Sequence, residues 1–318
     1  MRIIAGDVGG TKTLLECVDL RSGRQIVAQE RYESGRWSTF DLLLADFIRR
    51  CPTPIDAACF AVAGPVLEDR AEITNLQWRM DRQDLSRTFA IPRIALINDF
   101  YAVALGVPLL QPEDLLQLHS ASRVRGAPIA ILGAGTGLGE ANVFFIGDEW
   151  HVVPSEGGHA DFAPQDEEQS RLFLALLQKH GHVSWERLLS GMGIANIFNF
   201  LTGGTREYDE SYPGEIAALA VLGDPHARRT FEIFVDIYGA EAGNMALRLL
   251  ARGGVFLAGG VAAKNTAYFT DGRFVESFLR KGRFRAFLES IPVDLITNPN
   301  VGLIGAAEMA RRVAAIES

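Results

Sequence analysis

The sequence predicts an α/β protein built from two similar halves. Three observations carry this. Five short apolar runs end abruptly in glycine or acidic loops, helical patterns lie between them, and one strand–glycine turn–strand unit occurs twice, more than a hundred residues apart.

The runs are "RIIAGD" at 2–7, "AACFAVAG" at 57–64, "IALIND" at 94–99, "IAILGAG" at 129–135 and "VFLAGG" at 255–260. Unbroken apolar runs of this length predict strands buried on both faces. In "WSTFDLLLADFIRR", Trp37, Phe40, Leu43, Leu44, Phe47 and Ile48 recur at i, i+3, i+4 spacing, which predicts a helix. The stretch 226–252 repeats that period with Phe231, Phe234, Val235, Tyr238, Met245 and Leu249. Strands alternating with helices predict α/β architecture. The repeated unit is "RIIAGDVGGTKTLLECVDL" and later "AILGAGTGLGEANVFFIGD". Each reads as a β-hairpin with a phosphate-sized glycine loop, so the expectation is a duplicated domain facing a central cleft. A last apolar helix, from about 301 to 315, is expected to cross back onto the first half.

At 318 residues, 48% hydrophobic and 22% charged, the chain fits one large domain or two medium ones and can bury a core without staples. The net charge of −8 argues against a nucleic-acid surface, which shows as clustered Lys and Arg. It does not exclude an anionic nucleotide, because glycine-rich backbone cradles phosphate without net positive charge. Cys17, Cys51 and Cys59 are the only cysteines and form no CxxC pair, which predicts a reducing compartment and no structural zinc site. The opening "MRIIAGDVGG" is too short an apolar run for a signal peptide. No run approaches the ~20 residues that span a bilayer. The expectation is a cytoplasmic protein without membrane contact.

Two familiar nucleotide motifs fail on spacing. A P-loop needs Gly-Lys-[Ser/Thr], whereas in "GDVGGTKT" Thr11 separates Gly10 from Lys12. In "GAGTGLG" a dinucleotide fingerprint opening at Gly133 needs glycine where Leu138 stands, and one opening at Gly135 needs it where Glu140 stands. What remains is backbone free of Cβ atoms, whose N–H groups can converge on an anion, with a threonine hydroxyl in each loop. A single such loop reads first as an ordinary hairpin turn; two, plus "LAGGV" at 257–261, favour phosphate.

Carboxylates supply the rest. Asn98 and Asp99 follow a strand and precede a helical pattern, at the strand end where open α/β sheets bind ligands. The pair reads as a helix N-cap, as a site with one base, or as both. "SEGGHADF" puts Glu156, His159 and Asp161 within six residues, and the six histidines make no HExxH pattern. Glu156 and His159 therefore read as a polar loop around a small polar molecule, or as a solvated acidic loop. Glu186 in "WERLLSG" joins them or sits on a surface helix. Such a mixture suits several hydroxyls, since carboxylates accept from OH groups while Asn and neutral His donate and accept.

Together "GDVGGTKT", "TNLQW", "NDFYAVALG", "GAGTGLGEA", "EGGHADFAP", "ERLLSGMGI" and "LAGGV", in this order, resemble the bacterial glucokinase family of the hexokinase/actin-like ATPase superfamily. The resemblance runs from Gly6 to about Gly305. The glycine loops are common to the superfamily, whereas "EGGH.DFAP" and "ERLLSG" are specific to the family. It implies a two-domain actin-like (ribonuclease H-like) α/β fold, with a small domain over 1–110 completed by a C-terminal helix 302–318 and a large domain over 111–301. It implies ATP-dependent phosphorylation of D-glucose at the 6-hydroxyl. By position, Asp99 is then the catalytic base, with Asn98, Glu156, His159, Glu186 and Asn75 near the sugar. Gly9, Gly10 and Thr11 form the first phosphate loop and Gly135, Thr136 and Gly137 the second. Gly259 and Gly260 approach the adenosine, and Asp7 acts near Mg²⁺, directly or through water. A homodimer is also implied. One departure is Met192, where the resemblance implies proline. The sister ROK group leads from the corresponding loop into a cysteine-rich zinc motif, and here "GHADFAPQDEEQ" follows instead. A kinase of mannose, fructose or an N-acetyl amino sugar is the nearest alternative. A non-catalytic sugar-sensing regulator is another; it needs a DNA-binding segment, and the first hairpin loop already begins at residue 7.

Overall fold

The computed structural model describes residues 1–21, 23–73 and 76–315. The chain divides into two compact units, Met1–Gln111 with Asn298–Ser318, and Pro112–Thr297.

The first unit opens on β1 (Arg2–Val8), β2 (Lys12–Asp19) and β3 (Gln25–Glu33), then α1 (Phe40–Ile48) and β4 (Ala57–Val62). Three short strands follow, β5 (Val66–Leu67), β6 (Arg70–Ile73) and β7 (Trp78–Asp81), then α2 (Arg82–Phe89), β8 (Ile94–Asn98) and α3 (Asp99–Gly106). The main sheet has the order β3-β2-β1-β4-β8; its first two pairings are antiparallel and its last two parallel. Both faces of this sheet are covered. Ile4 and Val8 of β1 lie with Phe40, Leu43, Phe47 and Phe60 on one side, and Ile3 and Ala5 lie with Ala57, Cys59 and Ala61 on the other. All of β4 is buried, so its sequence is an unbroken apolar run rather than an alternation.

The second unit holds β9 (Leu115–His119), β10 (Ile129–Ala134), β11 (Leu138–Ile146), β12 (Glu149–Ser155), α4 (Glu167–His180), α5 (Gly191–Thr202) and α6 (Tyr212–Leu222). It continues through α7 (Pro225–Leu249), β13 (Gly254–Ala258), α8 (Gly260–Lys264), α9 (Thr266–Phe269), α10 (Arg273–Leu279), α11 (Arg285–Leu288) and β14 (Val293–Ile296). Its sheet runs β12-β11-β10-β13-β14-β9. The first five strands repeat the order of the first sheet and its senses of pairing, antiparallel twice and then parallel twice. The repeated hairpin in the sequence is therefore the start of a repeated sheet, and β9 is an added antiparallel edge. The long helix α7 starts cleanly because Asp224 accepts the Ala227 N–H at 2.8 Å and Pro225 occupies the first turn. It buries Phe231, Phe234, Val235 and Tyr238 in the core. The Tyr238 hydroxyl accepts from Ala134 N at 3.1 Å and reaches Leu132 O at 3.3 Å, so α7 holds the end of β10 by polar as well as apolar contact. Among the described residues no helix is long and apolar enough to cross a membrane.

The last helix, α12 (Val301–Ala315), belongs to the first unit. Leu303, Ala306, Ala307 and Ala310 cover the face made by Ile3, Ala5, Val18, Ala57, Cys59 and Ala61, beside Ala102 of α3. The residues there are small, which lets helix and sheet approach closely. Where α12 crosses α3 the approach is closer still: a Cβ on Gly305 would overlap the Ala102 carbonyl, and one on Gly106 would overlap that of Val301. The three cysteines are free and buried.

Candidate active site

In the first unit, β1 carries Asp7 to its end, and Gly9, Gly10 and Thr11 turn the chain into β2. Gly9 N–H donates to Lys12 O at 3.0 Å. Ser34 clamps this turn from behind. Its N–H donates to Thr11 O at 3.0 Å, its hydroxyl donates to Gly9 O at 2.7 Å, and it lies 3.0 Å from the Thr13 hydroxyl. Nothing in the sequence singled out Ser34, because its partners stand more than twenty residues away.

β8 ends at Asn98, and α3 begins at Asp99. The cap is Asn98: its Oδ1 accepts from Phe100 N at 2.9 Å and Tyr101 N at 3.1 Å. Its Nδ2 donates to Gly64 O at 3.1 Å and to Asp99 Oδ1 at 2.9 Å. Asn98 thus uses its full hydrogen-bonding capacity to orient its neighbour. Asp99 Oδ1 also accepts from Phe100 N at 2.8 Å, and Oδ2 takes no hydrogen bond among the described residues. Burial raises the Asp99 pKa, against the Phe100 N–H and the Asn98 amide, which lower it. Asp7 is pushed up to about 6, first by burial and then by the charge of Asp99, with Arg31 opposing. Two partly buried carboxyls, the charge of Asp99 raising Asp7, suit a hard divalent cation such as Mg²⁺. That ion takes one or two carboxylates and keeps water and phosphate as its other ligands. Among the described residues no group of three or more His, Cys, Asp or Glu is arranged to hold a metal.

In the second unit, β10 and β11 join through Gly135, Thr136 and Gly137, with Gly135 N–H on Gly137 O at 2.8 Å and Thr136 exposed. Two other segments close on this turn. Gly191 N–H, at the start of α5, donates to Gly135 O at 2.9 Å. Gly259 has φ +87°, and a Cβ there would overlap the Ala134 carbonyl. A left-handed residue in such close contact must be glycine. Gly260 follows, also exposed, as the first residue of α8.

After β12 comes Glu156, then a single helical turn Gly157–His159. The chain beyond is pinned to the segment before α5: Phe162 N–H donates to Val183 O at 2.9 Å, and Trp185 N–H donates to Ala160 O at 3.1 Å. That pairing brings Glu186 to the loop. Glu186 Oε2 accepts from Leu138 N at 2.9 Å, just past the glycine turn. His159 Nδ1 lies 3.9 Å from Glu186 Oε1, and its Nε2 lies 3.8 Å from Glu156 Oε2. Glu156, His159 and Glu186 form one group, while Asp161 turns to His182 at 2.8 Å. The Glu156 side chain is 92% exposed and that of Glu186 24%, so the group offers acceptors to solvent on a partly sheltered base. Met192 lies in the first turn of α5, where proline is also tolerated, and its Sδ accepts from Arg187 Nη1 at 3.4 Å. Asn75 lies outside the described residues. Sequence reading also passed over Glu140, buried at 4% exposure beneath the Gly157–His159 turn.

The repeated five-strand sheet, opening each time on a glycine-turned hairpin, defines the class: this is an actin-like ATPase fold. The glucokinase family model matches residues 4–313. A glucokinase of Trichormus variabilis is 41% identical over 98% of this chain and 99% of its own length. The chain belongs to the glucokinase family, whose members are sugar kinases. Among solved structures, the glucokinase of an Antarctic psychrotroph has a TM-score of 0.86 at 28% identity, covering 98% of this chain and 99% of its own. A glucokinase of Balamuthia mandrillaris, solved in complex with glucose, shares the fold with a TM-score of 0.80 at 22% identity, over 98% of this chain and 93% of its own.

Proposed function

We propose that this enzyme transfers the γ-phosphoryl group of ATP to the 6-hydroxyl of D-glucose, with Asp99 as the base. The observation that carries this reading is the group Glu156, His159 and Glu186, with Glu186 bonded to the backbone just past the second glycine turn. Two carboxylates and an imidazole accept from and donate to several hydroxyls of one small molecule. Glucose is the substrate that the family name and the Balamuthia complex support.

In this reading Asp99 takes the proton of the 6-hydroxyl as its oxygen forms a bond to the γ-phosphorus. The bond from that phosphorus to the bridging oxygen breaks, and ADP leaves. Asn98 holds Asp99 by its amide. Gly9, Gly10 and Thr11, and Gly135, Thr136 and Gly137, offer backbone N–H groups and two hydroxyls to the phosphates. Gly259 and Gly260 offer the adenosine a surface without side chains. Asp7 would hold Mg²⁺, directly or through water, and the ion when bound neutralises charge on the phosphate oxygens. Phosphoryl transfer is mostly positioning and electrostatics, which this inventory supplies. A cytoplasmic homodimer, with units 1–110 plus 302–318 and 111–301 acting as its domains, completes the proposal. Light scattering of the purified protein tests the dimer.

The direct test is a panel of hexoses assayed with ATP and Mg²⁺. Phosphorylation of glucose well below the concentrations needed for mannose, fructose and N-acetyl amino sugars is expected; a stronger response to any of these replaces glucose as the substrate. Glu156→Gln and His159→Ala should each weaken glucose binding by ~1–3 kcal/mol, about 5- to 150-fold, because each leaves a hydroxyl without its partner. ATP affinity should hold. Calorimetry that finds the reverse assigns this loop to the nucleotide. Thr136→Val keeps shape and deletes one hydroxyl donor, so the KM for ATP should rise and glucose affinity should not change. Loss of glucose binding with normal ATP kinetics would remove the turn from the phosphate sites.

A further inference from the structure

Glu140 lies in the second half of the repeated hairpin, on β11 opposite Ser155 of β12. The chain leaves β12 and passes directly over it: a Cβ on Gly157 would overlap Glu140 Oε2 and lie 3.0 Å from its Cδ. Gly157 N–H donates to the Ser155 hydroxyl at 2.9 Å, which fixes the turn at this point. The carboxyl is therefore the surface on which Gly157 rests, two residues before His159 and one after Glu156. Only 4% of Glu140 is exposed, and its buried Oε1 has no hydrogen-bond partner among the described residues.

The groups facing it come from α7. Glu241 is fully buried and holds both Arg248 and Asn244, the latter at 2.8 Å. Lys281, beyond α10, donates to Asn244 Oδ1 at 2.6 Å and acts on Glu241. The Tyr238 phenol is a further titratable neighbour, already engaged with β10, and Glu156 and His159 flank the turn above. Arg248, the cation that acts on Glu140, is thus bound to a different carboxylate. An ionised Glu140 would be a buried charge without a cation of its own, next to a second carboxylate.

We infer that Glu140 is a positioning residue for glucose: its protonated carboxyl supports the Gly157–His159 turn, and ionisation withdraws that support. The inference rests on the reading of Glu156 and His159 as sugar ligands. Burial, then the charge of Glu241, raise Glu140 to about 7, against the opposing charge of Arg248. The sign follows from proton linkage. An acid whose pKa is raised by the ordered structure binds its proton more tightly there than when the turn is open. The ordered turn is therefore favoured at low pH and loses ground as pH rises towards and through 7. Glucose binding tightens the turn, so it should weaken as pH rises to about 7 and change little beyond.

Calorimetric titration of the full chain with glucose from pH 5 to pH 9 tests this. In the unsubstituted protein the Kd should rise tenfold or more between about pH 5 and pH 7 and then level off, since one group can change binding by at most about a decade per pH unit. Glu140→Gln keeps the size and removes the proton, so its Kd should stay near the low-pH value throughout. His159 is present in both proteins, and its contribution cancels in the comparison. Glu241→Gln deletes the neighbouring negative charge and should move the rise to lower pH, an effect a purely structural Glu140 would not give and one measurable even if Glu140→Gln fails to fold. Parallel profiles for unsubstituted protein and Glu140→Gln, or an unmoved midpoint in Glu241→Gln, overturn the role of Glu140 while leaving glucose as ligand. Absence of glucose binding at every pH overturns the functional reading and this inference with it.

Discussion

Asp99→Asn should lower turnover by ~10²–10⁴-fold, the usual contribution of a general base, while glucose still binds. The structure separates this from an effect on folding. The α3 cap is Asn98, which keeps both of its backbone N–H groups in the variant. Asparagine at 99 can still accept from Phe100 N and from the Asn98 amide through Oδ1. It also removes a negative charge that raises the pKa of Asp7. An acid with a raised native pKa costs stability above its unfolded value, so relief of Asp7 should leave the melting temperature at pH 8 unchanged or slightly higher. The same logic shapes the pH profile of the unsubstituted enzyme. Asp99 must be ionised to act, and burial raises it, so kcat should fall on the acid side sooner than an ordinary aspartate would dictate. Near-normal turnover in Asp99→Asn, measured with saturating sugar and nucleotide, would end its role as base and turn attention to Glu156 and Glu186.

Gly305→Val should cause the largest loss of stability. The added side chain meets the Ala102 carbonyl and the Gly106 N–H, backbone that cannot rotate away. Overpacking of this kind costs about 3 kcal/mol, which for a domain of this size is roughly 6–12 °C in Tm. Gly305→Ala should shift Tm in the same direction by less. Because α3 begins at Asp99, a displaced α3 should also lower kcat at temperatures where the protein stays folded. A melting temperature unmoved by valine would show that α12 does not lie against α3 in solution.

The parts of the fold that were legible are those where one physical demand governs a continuous stretch. β1, β4, β10 and β13 lie inside their sheets, and burial on both faces writes them as apolar runs. β8 also reads as an apolar run, but it lies at the edge of its sheet and is only half-buried, so the expectation of burial on both faces fails there. The edge strands β9 and β12 were not legible: "LLQLH" and "EWHVVPS" are half-exposed and satisfy no strict period. The tiny sheet β5-β6-β7 escaped for the same reason, with strands of two to four residues. In the site, Glu156 and His159 could be found because they are close in sequence, and Glu186 because it stands in a recognisable motif. Ser34, Glu140 and Tyr238 act on the loops from strands, turns and helices far along the chain. Their chemistry is ordinary until the fold supplies a partner. The Asn98–Asp99 pair was ambiguous between cap and site, and the structure gives the cap to Asn98.

The position of α12 also bears on biosynthesis. The face formed by Ile3, Ala5, Val18, Ala57, Cys59 and Ala61 is closed by residues 303–310. The second unit, Pro112–Thr297, is made in between. At ~5–20 residues per second, ribosomes leave that apolar face bare for roughly 12–48 seconds after its strands emerge. The second unit, contiguous in sequence, can finish folding during that interval, while the first waits for residues 303–310. Conditions that slow elongation or overload chaperones should therefore injure nascent chains of this enzyme at the earlier-made unit.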